Sequence, residues 1–399
     1  MIHRGYRFRL HPTPEQAERL RRWAGVARLV WNLALEQRRE FWRQAKRAGT
    51  PINFASQCRE VTLLRAQYDW IADVPADVLG QTMRDLDAAM ARFFAGISRH
   101  PVMRAKREPV GLRFRQELAV RRLNAKWGVI RLAKLGWVRF RLTRDMPGEL
   151  RFATVAIGAD GAEISFARRI EHEEPAALEA SVGIDRGVAN TLALSTGELL
   201  SVPASIQAVE RQRRKAQRVL ARRRKGSARY GKARARVARL KAREARIRRD
   251  WLHRVSTDIA RRFGLVAIED LNVAAMTASA KGAAGAPGQR VAQKAGLNRS
   301  ILNQGWGMFA TMLAYKLEER GGTLVKVPAP YTSQTCQACG VIDAQSRESQ
   351  SVFACVHCGH RAHADTNAAL EILRRSTSWL PVEGSHQRPP EAGTERVAA

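Results

Sequence analysis

Three acidic residues stand where a predicted strand ends or a predicted helix begins. Asp185 closes the apolar run SVGID, Glu269 closes LVAIE, and Asp365 directly precedes a helix predicted from Thr366. A carboxylate buried at such a position costs free energy unless it is paired or bound to a metal. Three of them in one α/β unit suggest Mg²⁺ ligands for two-metal hydrolysis of a phosphodiester. In that chemistry one carboxylate, best placed on a central strand, bridges both ions.

A structural role is the alternative for each of these residues. An Asp that follows a strand is usually a turn former. Asp270 also competes with Glu269, because neighbouring strand residues point to opposite faces and only one of them can line a site. The spacing of the residues does not choose between the two.

Four of the five cysteines form two C-x-x-C pairs. The expected ligands are Cys336, Cys339, Cys355 and Cys358. A glycine follows each pair and lets the chain bend back, so the four thiolates can surround one Zn²⁺ ion in a closed, structural site. An iron–sulfur cluster or an unoccupied site are the alternatives. The fifth cysteine, Cys58, is expected to be a small buried apolar residue.

The charge of the chain points to a polyanionic partner. Its 399 residues include 69 Lys and Arg against 37 Asp and Glu, which gives a formal net charge of +32. Counterion release makes nucleic acid the natural partner, and a basic surface that is merely solvated is the alternative. A membrane is less suited, because no apolar run approaches about 20 residues and the N-terminus has no signal-peptide core. We therefore expect a cytoplasmic protein.

Hydrophobic periodicity places these residues in an α/β protein of several domains. Residues 1–12 alternate like a strand, and residues 13–109 are mainly helical, with Thr13 as the cap of the first helix. Period-two patterns over residues 112–170 predict the strands of a small antiparallel barrel with a basic face.

In the C-terminal half, strands alternate with long helices. The basic residues 209–264 predict two helices in a hairpin, interrupted near Gly226 and Gly231. Residues 277–296 are rich in Gly and Ala and predict a mobile loop, followed by one helix. Residues 377–399 predict a disordered tail.

Five segments together resemble the transposon-encoded nuclease family TnpB (OrfB), the ancestor of type V CRISPR effectors. These segments are YRFRLHPTPEQAERL, GIDRGVANTLALSTGE, IEDLNVAAM, KVPAPYTSQTCQACG and SRESQSVFACVHCGHRAHADTNAALEI. The resemblance covers nearly the whole chain and is most specific over residues 181–375.

The resemblance implies a RuvC nuclease domain with an RNase H-like fold and an inserted zinc ribbon. The implied domains are a wedge β-barrel (1–12 and 110–175), a helical recognition lobe inserted into it (13–109), the RuvC domain (181–330 and 361–376) and the ribbon (331–360). In that family the three RuvC carboxylates stand at the positions of Asp185, Glu269 and Asp365. The resemblance therefore selects Glu269 over Asp270.

RNA-guided, Mg²⁺-dependent cleavage of DNA is the activity that the resemblance implies. Such proteins bind a guide RNA, recognise a short motif beside the target and cut the unpaired DNA, so base pairing chooses the sequence. The implied cofactors are two Mg²⁺ ions and one structural Zn²⁺. The implied partners are a guide RNA and double-stranded DNA, with one chain per guide and no membrane. The implied setting is a bacterial or archaeal cytoplasm, in association with the nucleoid.

Two groups of residues are candidate contacts to nucleic acid. Those in the recognition helices, expected at the target-adjacent motif, are Gln81, Thr82 and Arg84. Those in the basic hairpin, expected at the guide RNA or its heteroduplex, are Arg213, Arg214, Arg222 and Arg223. A solvated helix surface is the alternative for both groups.

One position departs from the common family pattern. Arg186 follows Asp185 where a non-basic residue is frequent. We expect Arg186 to point away from the site or to touch a phosphate, because an inward guanidinium would compete with a metal ion.

Two other functions fit the same fold. An RNA-guided repressor that binds DNA without cutting it is expected to lose one or more carboxylates, and all three are present here. An unguided transposase or nuclease is expected to lack the wedge, the recognition lobe and a ribbon placed before the last aspartate.

Overall fold

The computed structural model describes residues 2–44, 52–106, 108–171, 178–283 and 285–377. The chain divides into two units. Unit 1 comprises residues 1–172 and 213–243, and unit 2 comprises residues 173–212 and 244–399. The tail predicted over residues 377–399 lies outside the described residues, apart from Thr377. The domain boundaries that the family resemblance implies stay predictions.

Unit 1 begins with one strand and a set of helices. These are β1 (Ile2–His11), α1 (Pro14–Gln44), α2 (Phe54–Gln67), α3 (Asp69–Ala72) and α4 (Ala76–Phe94). The cap predicted for α1 is confirmed. The Thr13 hydroxyl accepts a hydrogen bond from the Gln16 amide N–H at 3.2 Å, and the Gln16 side chain accepts one from the Thr13 N–H at 3.0 Å. This reciprocal pair satisfies two N–H groups at the helix start.

Seven antiparallel strands of unit 1 form one sheet. The six that follow the helices are β2 (Gly111–Phe114), β3 (Ala119–Arg122), β4 (Trp127–Leu132), β5 (Gly136–Arg141), β6 (Glu149–Gly158) and β7 (Gly161–Ile170). The strand order is β2-β6-β7-β1-β5-β4-β3. One face is packed by aromatic side chains, with the rings of Phe8, Phe140 and Phe166 between 5.1 and 5.9 Å apart. The period-two prediction is confirmed, and closure into a barrel stays a prediction.

The elements after β7 form the second sheet and the remaining helices, and all of them belong to unit 2 except residues 213–243, which belong to unit 1. The elements up to β11 are β8 (Ser181–Asp185), β9 (Leu192–Leu194), β10 (Leu199–Leu200), α5 (Ala204–Ala221), α6 (Ala228–Arg262) and β11 (Leu265–Glu269). The next are α7 (Val273–Met276), β12 (Gly282–Ala283), β13 (Ala286–Pro287), α8 (Val291–Gln304), α9 (Trp306–Glu318) and β14 (Thr323–Val327). The last are β15 (Val352–Ala354), β16 (Arg361–His363) and α10 (Ala364–Thr377).

The five-stranded sheet of unit 2 has the order β10-β9-β8-β11-β14. Strands β10, β9 and β8 pair in antiparallel fashion, whereas β8, β11 and β14 are parallel. The apolar core includes Val182, Ile184, Ile268, Phe309 and Leu313, all fully buried. No helix within the described residues is both long enough and apolar enough to cross a lipid bilayer.

Three local predictions for this half of the chain need correction. Gly226 lies in the turn of the helix hairpin with φ +86°, as expected, but Gly231 lies inside α6. A glycine within a long helix costs only about 1 kcal/mol, which neighbouring good helix formers tolerate. The loop predicted over residues 277–296 contains β12, β13 and the start of α8. The single helix predicted after it is two helices, separated at Gly305 with φ +77°.

Candidate active site and zinc site

Two adjacent parallel strands and one helix bring the three predicted carboxylates together. Asp185 is the last residue of β8 and Glu269 is the last residue of β11. The register pairs Ile184 with Ile268, so the two carboxylates leave the same edge of the sheet. Asp365 lies in the first turn of α10, which packs against β8 and β11.

The three carboxylates are close enough to interact electrostatically. The pKa of Asp185 is raised from 3.8 to about 7, first by burial and then by the charges of Glu269 and Asp365. The Arg347 guanidinium opposes this shift. The cluster therefore favours a bound cation, because the ionised carboxylates repel one another at the sheet edge.

Glu269 also has a raised pKa, and burial is the main cause. A hydrogen bond from Thr332 and the charges of Arg186 and Arg375 act in the opposite direction. Its neighbour Asp270 is exposed and pairs with Lys326 at 3.4 Å. Strand alternation thus turns Glu269, 8% exposed, toward the site and Asp270 away from it.

Three further side chains hold the carboxylates in place. The Thr332 hydroxyl donates a hydrogen bond to Glu269 Oε1. Asn190 Nδ2 donates to Asp365 Oδ2 at 3.1 Å, and Arg347 Nη2 donates to Asp365 Oδ1 at 3.4 Å. Sequence reasoning did not find these residues, although all three lie in the segments that carry the family resemblance. Nothing in their spacing distinguishes them.

Arg186 was expected to point away from the site or to touch a phosphate; it does not point away, and contact with a phosphate stays a prediction. Arg186 is 7% exposed, and its Nη2 donates a hydrogen bond to the backbone carbonyl oxygen of Glu269. Burial lowers the pKa of the guanidinium, and the charges of Glu269 and Asp185 oppose that effect. Because the recorded bond is to a backbone carbonyl, Arg186 ties the ends of β8 and β11 together without taking a carboxylate oxygen.

The four ribbon cysteines form a cluster whose spacing suits a zinc ion. Their sulfur atoms all lie within 4.8 Å of one another, and two pairs, Cys336–Cys358 and Cys339–Cys355, are 3.7 Å apart. A tetrahedral ion with Zn–S bonds of about 2.3 Å separates its sulfur atoms by about 3.8 Å. A disulfide needs sulfur atoms only about 2.05 Å apart. The four cysteines therefore fit a structural Zn²⁺ ion.

Local backbone structure prepares this cysteine cluster for a metal. The glycines after the two pairs, Gly340 and Gly359, have φ of +76° and +75°, a region that glycine enters without strain. A backbone hydrogen bond from Cys358 is the largest cause that lowers the pKa of Cys355 to about 6. Burial is the largest cause that raises the pKa of Cys339, and that of Cys358 to about 12, so the thiolate is favoured at Cys355 and opposed at these two neighbours while no metal is bound. Cys58, by contrast, is partly buried against the core of unit 1.

The candidate nucleic-acid contacts differ in exposure. Gln81 and Thr82 are 6% and 5% exposed, and their side chains bond within α4, to Asp85 and to the Val78 carbonyl. A contact between either residue and DNA would require α4 to be uncovered, so it stays a prediction. Arg84 is exposed.

The basic hairpin presents most of its candidate arginines to solvent. Arg214, Arg222 and Arg223 are exposed. Arg213 is half-buried, and its Nη1 donates to Gln217 at 3.0 Å. Their contact with RNA stays a prediction as well.

Three protein-family descriptions match the chain. "Probable transposase" matches residues 165–280, "Cas12f1-like, TNB domain" matches residues 306–372, and "Helix-turn-helix domain" matches residues 1–47. The second match contains the cysteine cluster. Over the third, the described residues 2–44 form one strand and one continuous helix, without a turn between two helices.

Two curated relatives extend over most of the chain. The "Putative RNA-guided DNA endonuclease InsQ" of Escherichia coli (strain K12) is 35% identical over 372 residues, which cover 92% of this chain and 91% of that protein. A "Putative RNA-guided DNA endonuclease" of Streptomyces pristinaespiralis is 31% identical over 379 residues, covering 93% and 89%.

A solved structure resembles the fold. The cryo-EM structure of the Cas12f1-sgRNA-target DNA complex aligns with a TM-score of 0.54 and 15% identity, covering 90% of this chain and 83% of that one. The chain thus shares the α/β fold of that structure. With the relatives described above, it belongs to the TnpB (OrfB) family.

Proposed function

We propose that this chain is an RNA-guided, Mg²⁺-dependent DNA endonuclease. The observation that carries the proposal is the convergence of Asp185, Glu269 and Asp365 from two strand ends and a helix start. The net charge of +32 supports nucleic acid as the partner. The names of the two relatives, both putative RNA-guided DNA endonucleases, support the same activity.

The three carboxylates would hold the two Mg²⁺ ions. Carboxylate oxygens are the ligands that Mg²⁺ prefers, and the charges that raise the pKa of Asp185 are the charges that a dication neutralises. When bound, such ions activate a water molecule and stabilise the leaving oxygen of the phosphodiester. Among the described residues only the four cysteines bring three or more His, Cys, Asp or Glu ligand atoms within 4.8 Å of one another. The ions of a two-metal site lie about 3.5–4 Å apart, so the carboxylates that hold them need not all meet at one point.

The remaining residues of the site would keep the carboxylates in their working orientation. Asn190 and Arg347 each hold one oxygen of Asp365, and Thr332 holds one oxygen of Glu269. A carboxylate fixed in this way keeps its other lone pairs available for a metal. Zinc in the cysteine site would fold the ribbon that carries Arg347.

The guide would supply sequence specificity, and the protein would supply a basic surface for the backbone of the heteroduplex. The proposed contacts to RNA are Arg213, Arg214, Arg222 and Arg223. The proposed contacts to the motif beside the target are Arg84 and, once α4 is uncovered, Gln81 and Thr82. One chain per guide RNA is the proposed stoichiometry.

The test begins with the RNA that the protein carries. The full chain is expressed with its flanking DNA and purified through high salt, and its bound RNA is sequenced. Cleavage of DNA that matches this RNA is then measured with Mg²⁺. We expect one discrete RNA, and we expect Asp185→Ala and Glu269→Gln to reduce cleavage by more than about 100-fold while RNA stays bound. Asp270→Asn, the exposed neighbour, is the matched control and should cut normally.

Each other function has its own signature in this assay. A wild-type complex that binds matching DNA tightly but never cuts it would be a repressor. Cleavage that persists after the RNA is digested would be that of an unguided nuclease or transposase. Normal cutting by Asp185→Ala would refute the assigned site.

A further inference from the structure

The segment between β14 and the first ribbon cysteine, Cys336, lies directly against the proposed active site. This segment, residues 328–335, is the ribbon linker. It carries Thr332, which is 3% exposed and whose hydroxyl donates to Glu269 Oε1. The position of the linker therefore determines whether this hydrogen bond forms.

A single guanidinium holds the linker at several points. Arg375 Nη1 donates to the carbonyl oxygens of Pro328 at 3.1 Å and Pro330 at 2.8 Å. Its Nη2 donates to the Thr335 hydroxyl at 3.2 Å. Because the guanidinium is a rigid planar fork, these bonds fix points on both sides of Thr332 relative to one another.

A buried carboxylate aims that guanidinium. Glu371 lies one turn before Arg375 on α10, is fully buried, and accepts a hydrogen bond from Arg375 Nε at 2.8 Å. Arg374 also pairs with Glu371, through Nε at 2.7 Å and Nη2 at 2.9 Å. A fully buried carboxylate is destabilising unless it is paired, so breaking the pair between Glu371 and Arg375 costs free energy.

The same helix holds the far end of the linker through Asn367. Its Nδ2 donates to the Thr335 carbonyl oxygen at 2.8 Å, and its Oδ1 accepts from the Gln337 N–H at 3.1 Å. Tyr331, next to Thr332, has φ +65°, a left-handed conformation that costs a non-glycine residue about 1 kcal/mol or more. A linker released from α10 would relax from this conformation and carry Thr332 away from Glu269.

We infer that Arg375 is a positioning residue for Glu269, acting through the ribbon linker and Thr332. This inference rests on the proposed function. Helix α10 then has two roles in one site, since it supplies the carboxylate of Asp365 and orients the carboxylate of Glu269. Residues that hold metal ligands typically change metal affinity by about 10–100-fold when they are removed.

The test compares two neighbouring arginines that share Glu371. Arg375→Ala removes the linker contacts. Arg374→Ala is the matched control, because its side chain is 56% exposed and, among the described residues, its recorded bonds are to Glu371 alone. The hydrogen bond from the Thr332 hydroxyl to Glu269 is tested by Thr332→Val, which removes the hydroxyl, and by Thr332→Ser, which keeps it.

Two readouts are measured on each RNA-bound protein. The first is the rise in melting temperature on titration with MgCl₂, without DNA, and the second is the Mg²⁺ dependence of cleavage. We expect Arg375→Ala and Thr332→Val to need at least about tenfold more Mg²⁺ in both assays. Excess Mg²⁺ should restore much of the cleavage. Arg374→Ala and Thr332→Ser should resemble the wild type.

Wild-type Mg²⁺ dependence in Arg375→Ala, or an equal change in Arg374→Ala, would overturn the inference. If Arg375→Ala does not fold, Thr332→Val decides the outcome, and its normal Mg²⁺ dependence would overturn the inference as well. A wild-type protein that shows neither Mg²⁺ stabilisation nor cleavage would instead refute the proposed function, and the inference would fall with it.

Discussion

The backbone carbonyl oxygen of Ala369 occupies the space where a side chain at Gly183 would lie. Gly183 is two residues before Asp185 on β8, and Ala369 is one helical turn after Asp365 on α10. The absence of a Cβ atom at residue 183 therefore lets the helix approach the strand. This close packing brings two of the three carboxylates to the same place.

Substitution of Gly183 should separate these two carboxylates. In Gly183→Ala the added methyl group meets backbone, which cannot rotate away, so α10 must move. We expect a loss of about 1–3 kcal/mol in the free energy of unfolding and a strong loss of cleavage. Urea denaturation and a cleavage assay measure the two effects. Gly5→Ala on β1, where nothing lies within 4 Å, is the control, and equal behaviour of the two variants would contradict this explanation.

The raised pKa of Asp185 predicts how pH affects stability. Its folded-state pKa of about 7 lies above the ordinary value of 3.8, so the folded protein retains a proton that the unfolded chain has lost. The free energy of unfolding therefore falls as pH rises through that interval. Asp185→Asn cannot ionise and should be more stable than the wild type at pH 8, by up to about 4 kcal/mol.

This difference is measured by urea denaturation without added Mg²⁺, at acidic and at alkaline pH. It should shrink toward the acidic end, where the wild-type carboxyl is protonated. Asp270→Asn, at an exposed position, should follow the wild type throughout. Parallel pH curves for Asp185→Asn and the wild type would show that this carboxyl is not destabilised by its surroundings.

Loss of zinc should affect the active site as well as the ribbon. We expect about one zinc ion per chain by elemental analysis, and much less in Cys336→Ala. Because the ribbon carries Arg347, whose guanidinium bonds to Asp365, the zinc-free protein should also cleave poorly. Cys58→Ala, which changes a cysteine outside the cluster, should keep both its zinc and its activity. Full cleavage by zinc-free Cys336→Ala would make the ribbon dispensable for catalysis.

The basic hairpin should contribute to the salt dependence of RNA binding. The variant replaces four arginines with alanine, namely Arg213, Arg214, Arg222 and Arg223. If all four contact phosphates of single-stranded RNA, the slope of log affinity against log salt should decrease by about 3. Filter binding over a series of NaCl concentrations gives the slope, and Asp185→Ala should leave it unchanged. An unchanged slope in the fourfold variant would identify the hairpin as a solvated surface.

The sequence predicted the proposed metal ligands of both sites better than the side chains that hold those ligands in place. The cysteines were found because their spacing is local, and the carboxylates because each adjoins a recognisable strand or helix. The choice between Glu269 and Asp270 needed the family resemblance, and their burial agrees with that choice. Asn190 and Asp365 are 175 positions apart, and no periodic pattern links residues at such a distance.

The elements that escaped prediction lack the signals on which prediction depends. Helix α2 has a single fully buried residue, the polar Gln57, and its apolar residues against the core, Phe54, Cys58, Val61 and Leu64, are only partly buried, so its apolar pattern is weak. The inward position of Arg186 was missed for a related reason. An arginine is rarely buried, and its partner here is a backbone carbonyl, which every residue has.

Because Asp365 follows β8 and β11 in the sequence, its carboxylate is the last of the three to be synthesised. Domains generally fold from the N-terminus during synthesis, so β8 and β11 are complete well before the ribosome reaches α10. A chain halted between Glu269 and Asp365 holds two of the three carboxylates and much of the basic sequence. If the proposed function holds, such a fragment would bind nucleic acid without cutting it, and the capacity to cut would arise only once α10 has been synthesised.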